Sequence, residues 1–196
     1  ILATGAIERP ITFADNDRPG VMLASSASHY CLRYGARPGR DAVLFTNNNG
    51  SYQHAIDLKD NGINIVAIID LRSEPDASLV VAATAKGIDV LLASQISKVI
   101  GVRRVSAVEI CASNGAGNRR RIACDLLLMS GGWNPTIHLH SQSGARPAYD
   151  ADLATFIPGM SVQNEISAGA CRGQFALSAC LSDGLTAGYN AAKACG

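Results

Sequence analysis

A strand-helix-strand pattern between residues 42 and 70 restricts what this chain can fold into more than any other feature. Ala42-Val43-Leu44-Phe45-Thr46 is an apolar run of strand length, and Asn47-Asn48-Asn49-Gly50 interrupts it. Tyr52, Ala55, Ile56 and Lys59 then recur at helical spacing, Asn61-Gly62 supplies a stop, and Ile63 to Ile69 forms a second apolar run closing on Asp70. A unit of about 30 residues is the length of a right-handed parallel crossover. Leu79 to Lys86 predicts a second helix stopped by Gly87, and Ile88 to Leu92 a third parallel strand. Ser97 to Ile100, Ser106 to Ala112 and Arg121 to Asp125 lie short between turn signals and predict a small antiparallel meander. Leu126 to Met129 returns to a buried strand ending at Ser130-Gly131-Gly132.

The flanks belong to something else. Ile1-Leu2-Ala3 reads as the end of a buried strand with no initiator Met, as expected of a fragment of a longer chain. After a polar stretch from Trp133 to Gly159, a final helix is predicted from Gln174 to Lys193, carrying Phe175, with Ser182-Asp183-Gly184 as an interruption. The fold class is α/β: a Rossmann-like βαβ unit with a parallel sheet and a small antiparallel meander, inserted in the remainder of a second nucleotide-binding half. The boundaries read as 1–36 (end of the first nucleotide-binding half and crossover), 37–135 (second Rossmann-like unit with a degenerate glycine loop) and 136–196 (return to the first half).

In G-x-G-x-x-G folds, three glycines let the backbone approach a diphosphate at a helix N-terminus, and an acidic residue further on holds the ribose. Asp70 stands where that acid belongs, but Thr46, Asn48 and Ser51 occupy the three glycine positions. A Cβ at each crowds the loop, so this half is expected to keep the fold without the ligand. Ile1 to Ala6 and Leu127 to Gly132 share a shape, an apolar strand followed by Thr or Ser and then Gly, which suits small residues passing beneath a cofactor.

No catalytic constellation is visible. His29, His54, His138 and His140 lack a paired nucleophile or carboxylate at suggestive spacing, and His138-x-His140 reads as exposed rather than as a metal pair. The cysteines, Cys31, Cys111, Cys124, Cys171, Cys180 and Cys195, show no C-x-x-C, which disfavours a stand-alone reductase with a redox pair and points to buried thiols in a reducing cytoplasm. With a net charge of +1, and Arg119-Arg120-Arg121 read as a solvated hairpin flank, no nucleic-acid or membrane surface is expected. No apolar run reaches the ~18 residues of a membrane span.

Several segments together resemble the alpha subunits of heterotetrameric sarcosine oxidases: ATGAIERP, DNDRPGVM, PGRDAVLFTNNNGSY, SGGWNP, RPAYDADLATFIPG and ISAGACRGQ. The resemblance spans essentially all 196 residues. It implies a disulfide reductase-like region that binds NAD in a complex with beta, gamma and delta type subunits. FAD is carried on beta, FMN is held between alpha and beta, and tetrahydrofolate is accepted by a domain outside this segment. The implied reaction is oxidative demethylation of sarcosine to glycine, with formaldehyde or methylene-tetrahydrofolate and hydrogen peroxide. Thr4, Gly5 and Ala6 match the cofactor-adjacent turn of the wider superfamily, and Gly169 and Ala170 the closing turn, with Phe175 nearby. Flavin-binding relatives place Asp where Ala170 stands, so the resemblance implies NAD rather than FAD at this position. The alternative is a non-catalytic docking module of a related opine oxidase or cyanide synthase type complex.

Overall fold

A computed structural model describes residues 1–196, which divide into two compact units: Ile1–Glu8 with Trp133–Gly196, and Arg9–Gly132. The outer unit opens with β1 (Ala6–Glu8) and is interrupted there by the whole of the inner one.

The inner unit runs β2 (Val21–Leu23), α1 (Ala24–Ser28), β3 (Asp41–Thr46), α2 (Gly50–Asp60), β4 (Asn64–Asp70), α3 (Ala77–Ala85), β5 (Asp89–Leu91), β6 (Ser94–Ile100), β7 (Ala107–Ala112), β8 (Arg120–Ala123) and β9 (Leu126–Ser130). Five of the strands form a parallel sheet in the order β2-β9-β3-β4-β5. β6, β7 and β8 form the antiparallel meander. The inner unit begins at Arg9, not at residue 37 as the sequence reading has it: residues 21–23 pair with β9 and are part of this sheet.

The near-continuous apolar runs are explained by burial on both faces. Ala42 and Leu44 face a core built with Ala24, Ala27, Tyr52, Ala55, Leu58 and Ala83 of the helices. Val43 and Phe45 face the opposite core, with Ile96, Val99, Val108, Ile110 and Ile122 of the meander. The strand period of two thus divides one run between two cores. α2 ends as the sequence predicts, with Gly62 at φ +85°. α3 begins two residues before the predicted Leu79 because Asp76 caps it, accepting the Ser78 N–H at 2.9 Å.

Gly131 has a reason unrelated to any cofactor. The Gly131 N–H donates to the Arg9 carbonyl at 2.7 Å, and a Cβ here would lie 2.9 Å from that oxygen and 3.0 Å from the Pro10 oxygen. The small residue is required by the close passage of 9–11. Gly131→Ala is therefore expected to cost about 1–3 kcal/mol, the range of overpacking in a tight site. Urea unfolding checks it; a cost below about 0.5 kcal/mol contradicts it.

In the outer unit, β1 pairs antiparallel with β10 (Trp133–Pro135), α4 (His138–Gln142) follows, and β11 (Ala148–Asp150) pairs antiparallel with β12 (Thr155–Ile157). A 3-10 turn at Gly169–Arg172 leads into α5 (Leu177–Cys195). The helix starts later than Gln174, so Phe175 precedes it, and it passes through Ser182-Asp183-Gly184 unbroken. His140 is also unlike its sequence reading. It is 1% exposed, its Nε2 accepts the Gly159 N–H at 3.1 Å, and its Nδ1 therefore carries the proton donated to Glu165 Oε1 at 2.7 Å. His138 is exposed as expected. No helix is long and apolar enough to cross a membrane.

Candidate functional site

The two turns singled out in the outer unit come together. Leu2 forms a parallel bridge with Ser167: the Leu2 N–H donates to Ile166 at 2.7 Å, and the Ala168 N–H to Leu2 at 2.9 Å. Each of these adjacent segments then runs, in the same direction, into a glycine at φ +74°, Gly5 on one and Gly169 on the other. That left-handed conformation costs glycine nothing and strains other residues. A Cβ on Gly5 would meet nothing within 4 Å, and one on Gly169 only Cys180, at 3.9 Å and beyond. The backbone here is bare and open.

Neighbouring hydrogen bonds fix both turns. Thr4 Oγ1 donates to the Thr136 carbonyl at 2.5 Å, and the Thr136 N–H returns to the Gly5 carbonyl at 2.9 Å. Ala6 opens β1. The Gly169 N–H donates to Asp183 Oδ2 at 2.7 Å, and Arg172 Nη1 reaches Asp183 Oδ1 at 3.0 Å. Ala170 lies in the 3-10 turn and Phe175 just after it, both half-buried. Sequence reasoning missed Asp183, taking it as a helix interruption; an acid in a helix interior was the only signal.

The inner unit carries the other candidate position, at the C-terminal ends of β3 and β4, where its own side chains fill the space. Asn48 Nδ2 donates to both the carbonyl and Oγ of Ser130 at 3.0 Å, and Ser51 Oγ donates to the Asn48 carbonyl at 2.9 Å. Thr46 Oγ1 and Ser51 Oγ lie 2.6 Å apart. Asp70 is 0% exposed and committed: Oδ2 accepts from Tyr52 at 2.9 Å and Arg72 Nη2 at 2.8 Å, and Oδ1 from Arg72 N and Nε at 2.9 and 3.1 Å. Arg72 Nη1 also donates to Asn49 Oδ1 at 2.7 Å. A carboxylate accepting four bonds has none to offer a ribose. These residues do not fit a dinucleotide.

All six cysteines are free thiols. Four are buried, whereas Cys180 is half-exposed and Cys195 exposed, which departs from uniform burial. Burial, with Asp125 and then Asp41 nearby, pushes the Cys124 thiol up to about 12, so almost no thiolate exists at pH 8. In a disulfide-exchange titration at pH 8, Cys195 is expected to react at once. Cys124 is expected to lag by at least about 100-fold until the chain unfolds. Equal rates contradict this.

The chain is 38% identical over 201 residues to the sarcosine oxidase alpha subunit of Corynebacterium sp. (strain P-1), covering 100% of this chain. It is 37% identical over 184 residues to that of Rhizobium meliloti (strain 1021), covering 94%. This chain is a homologue of one segment of the sarcosine oxidase alpha subunit. It spans 21% and 18% of the length of those two relatives. No protein-family model matches. Among solved structures, T. acidophilum thioredoxin reductase superposes with a TM-score of 0.77 at 16% identity, covering 99% of this chain and 65% of that one. Lactococcus lactis thioredoxin reductase gives 0.72 at 15%, covering 97% and 64%, and L-proline dehydrogenase from P. horikoshii 0.56 at 20%, covering 87% and 29%. These likenesses establish the α/β fold, with its parallel sheet, of this sarcosine oxidase alpha homologue.

Proposed function

We propose that this chain is the NAD-holding region of a sarcosine oxidase-type alpha subunit, an oxidoreductase component in which Thr4, Gly5, Ala6, Gly169, Ala170 and Phe175 line the cofactor. The observation that carries this is the meeting of two left-handed glycine turns at the same end of adjacent parallel segments. An extended dinucleotide needs bare backbone of that kind. Ala170 offers a methyl group and no carboxylate to a flavin's polyol, which supports NAD over FAD. Bound NAD brings an anionic diphosphate and a nicotinamide ring able to accept hydride. The residues here position it and do no acid-base chemistry.

Beta, gamma and delta type subunits complete the proposed cytoplasmic complex, with FAD on beta, FMN between alpha and beta, and tetrahydrofolate on a domain outside this segment. The complex demethylates sarcosine to glycine; this segment alone is inactive. The filled crevice of the inner unit favours a second role for residues 9–132, as framework for docking rather than for ligand binding. Acid extraction of the full chain purified with its partners tests the proposal. About one NAD per chain is expected; flavin as the sole nucleotide released from this chain overturns it.

A further inference from the structure

Asp183 lies inside α5, where aspartate is a poor helix former and its absence would favour the helix. Its side chain turns away from the helix to the preceding turn. Oδ2 accepts the Gly169 N–H at 2.7 Å, Oδ1 accepts Arg172 Nη1 at 3.0 Å, and the side chain is 16% exposed. One carboxylate thus gathers a backbone donor from the first residue of the 3-10 turn and a side-chain donor from the last. Charge-assisted bonds of this kind are the strong ones, and a fixed Gly169 N–H helps to set the peptide plane at a residue whose lack of a side chain gives its backbone the widest conformational choice.

Arg172 is held at one nitrogen only by this pair. Its side chain is 56% exposed, so the rest of the guanidinium faces solvent beside the turn. The outer unit has just three Lys and Arg residues, Arg146, Arg172 and Lys193, and Arg172 alone belongs to the turn. A dinucleotide carries a diphosphate, for which a pre-oriented, planar guanidinium is the best-matched side chain. Orientation before binding reduces the ordering cost that the ligand must otherwise meet.

We propose that Asp183 is a positioning residue for the dinucleotide, fixing the Gly169 turn and aiming the Arg172 guanidinium at the ligand's diphosphate. This rests on the reading that NAD binds at these turns. The test is calorimetric titration of the full chain with NAD at low and high salt, alongside hydrogen exchange of the Gly169 amide, for wild type, D183A, D183N and R172Q. D183A is expected to weaken NAD about tenfold and to lose Gly169 protection with α5 intact. D183N keeps an acceptor for Gly169 but not the ion pair, so protection stays and affinity falls about threefold. R172Q keeps protection but flattens the salt dependence, because one charge on the diphosphate is gone. A folded D183A that binds NAD as wild type does overturns the proposal, and so does an R172Q with unaltered salt dependence. A wild type that takes no NAD is recognised before any variant is compared. It overturns the functional reading and the pair's ligand role together, and lost Gly169 protection in D183A then marks a purely structural clamp.

Discussion

Asp70→Ala is expected to destabilise the inner unit by about 3 kcal/mol, the low end of what removing one partner of a buried ion pair costs. The Tyr52 hydroxyl loses its acceptor inside the core, the Arg72 guanidinium loses the carboxylate acceptor of two of its bonds, and the Arg72 backbone N–H loses its acceptor as well. Arg72 is 30% exposed, so water recovers part of its loss, which is why the low end applies. The transition midpoint should fall by roughly 10 °C. Asp70→Asn keeps acceptors for part of the cluster and should cost about half as much. Tyr52 adds a pH signature: burial first, and the negative charge of Asp70 second, push its phenol up from the ordinary 10. A group with a raised folded pKa contributes fully below its unfolded pKa and loses that contribution as pH climbs above it. Stability should therefore hold to about pH 10 and fall beyond, and Tyr52→Phe should remove that fall together with about 1 kcal/mol. Urea titrations across pH check both. An Asp70→Ala chain within 1 kcal/mol of wild type contradicts the closed crevice.

Gly5→Val should abolish NAD retention, by at least about 100-fold in affinity, through two separable effects. The first is strain, since a β-branched residue at φ +74° costs about 1–3 kcal/mol. The second is occupancy, since the new side chain enters space that is open at Gly5. Gly5→Ala separates them: the Cβ meets no protein atom within 4 Å, so it adds strain of about 1 kcal/mol and only a methyl group's bulk. If a cofactor lies over Gly5, Gly5→Ala loses NAD by more than its stability cost accounts for. NAD content of the purified variants, set against their unfolding midpoints, decides it.

The inner fold was legible because its signals are local. Apolar runs at 42–46, 63–69 and 126–129 and the Asn61-Gly62 stop report periodicity and turn chemistry, which a sequence displays directly. Its boundary was not legible: Val21–Leu23 is too short to declare itself, and only pairing with β9 places it in the sheet. Position alone marked Asp70, whereas its environment depends on Arg72 and Tyr52, whose approach follows from the βαβ geometry. The degenerate loop was readable as missing glycines; that Asn48 bonds Ser130 was not. In the outer unit the sequence paired the Thr4-Gly5 and Gly169 turns by resemblance, while their adjacency depends on the bridge between Leu2 and Ser167, residues far apart in sequence. His140 was misread because its acceptor, Glu165, and its donor, Gly159, both lie far along the chain.

Amide hydrogen exchange of the full chain, with and without saturating NAD, tests the central claim most directly. Binding at the outer turns predicts added protection at residues 4–6 and 168–172 and none at 46–52 or 70–72. Protection confined to 46–52 and 70–72 would place the dinucleotide in the crevice between Asn48, Asp70 and Arg72 and contradict the account.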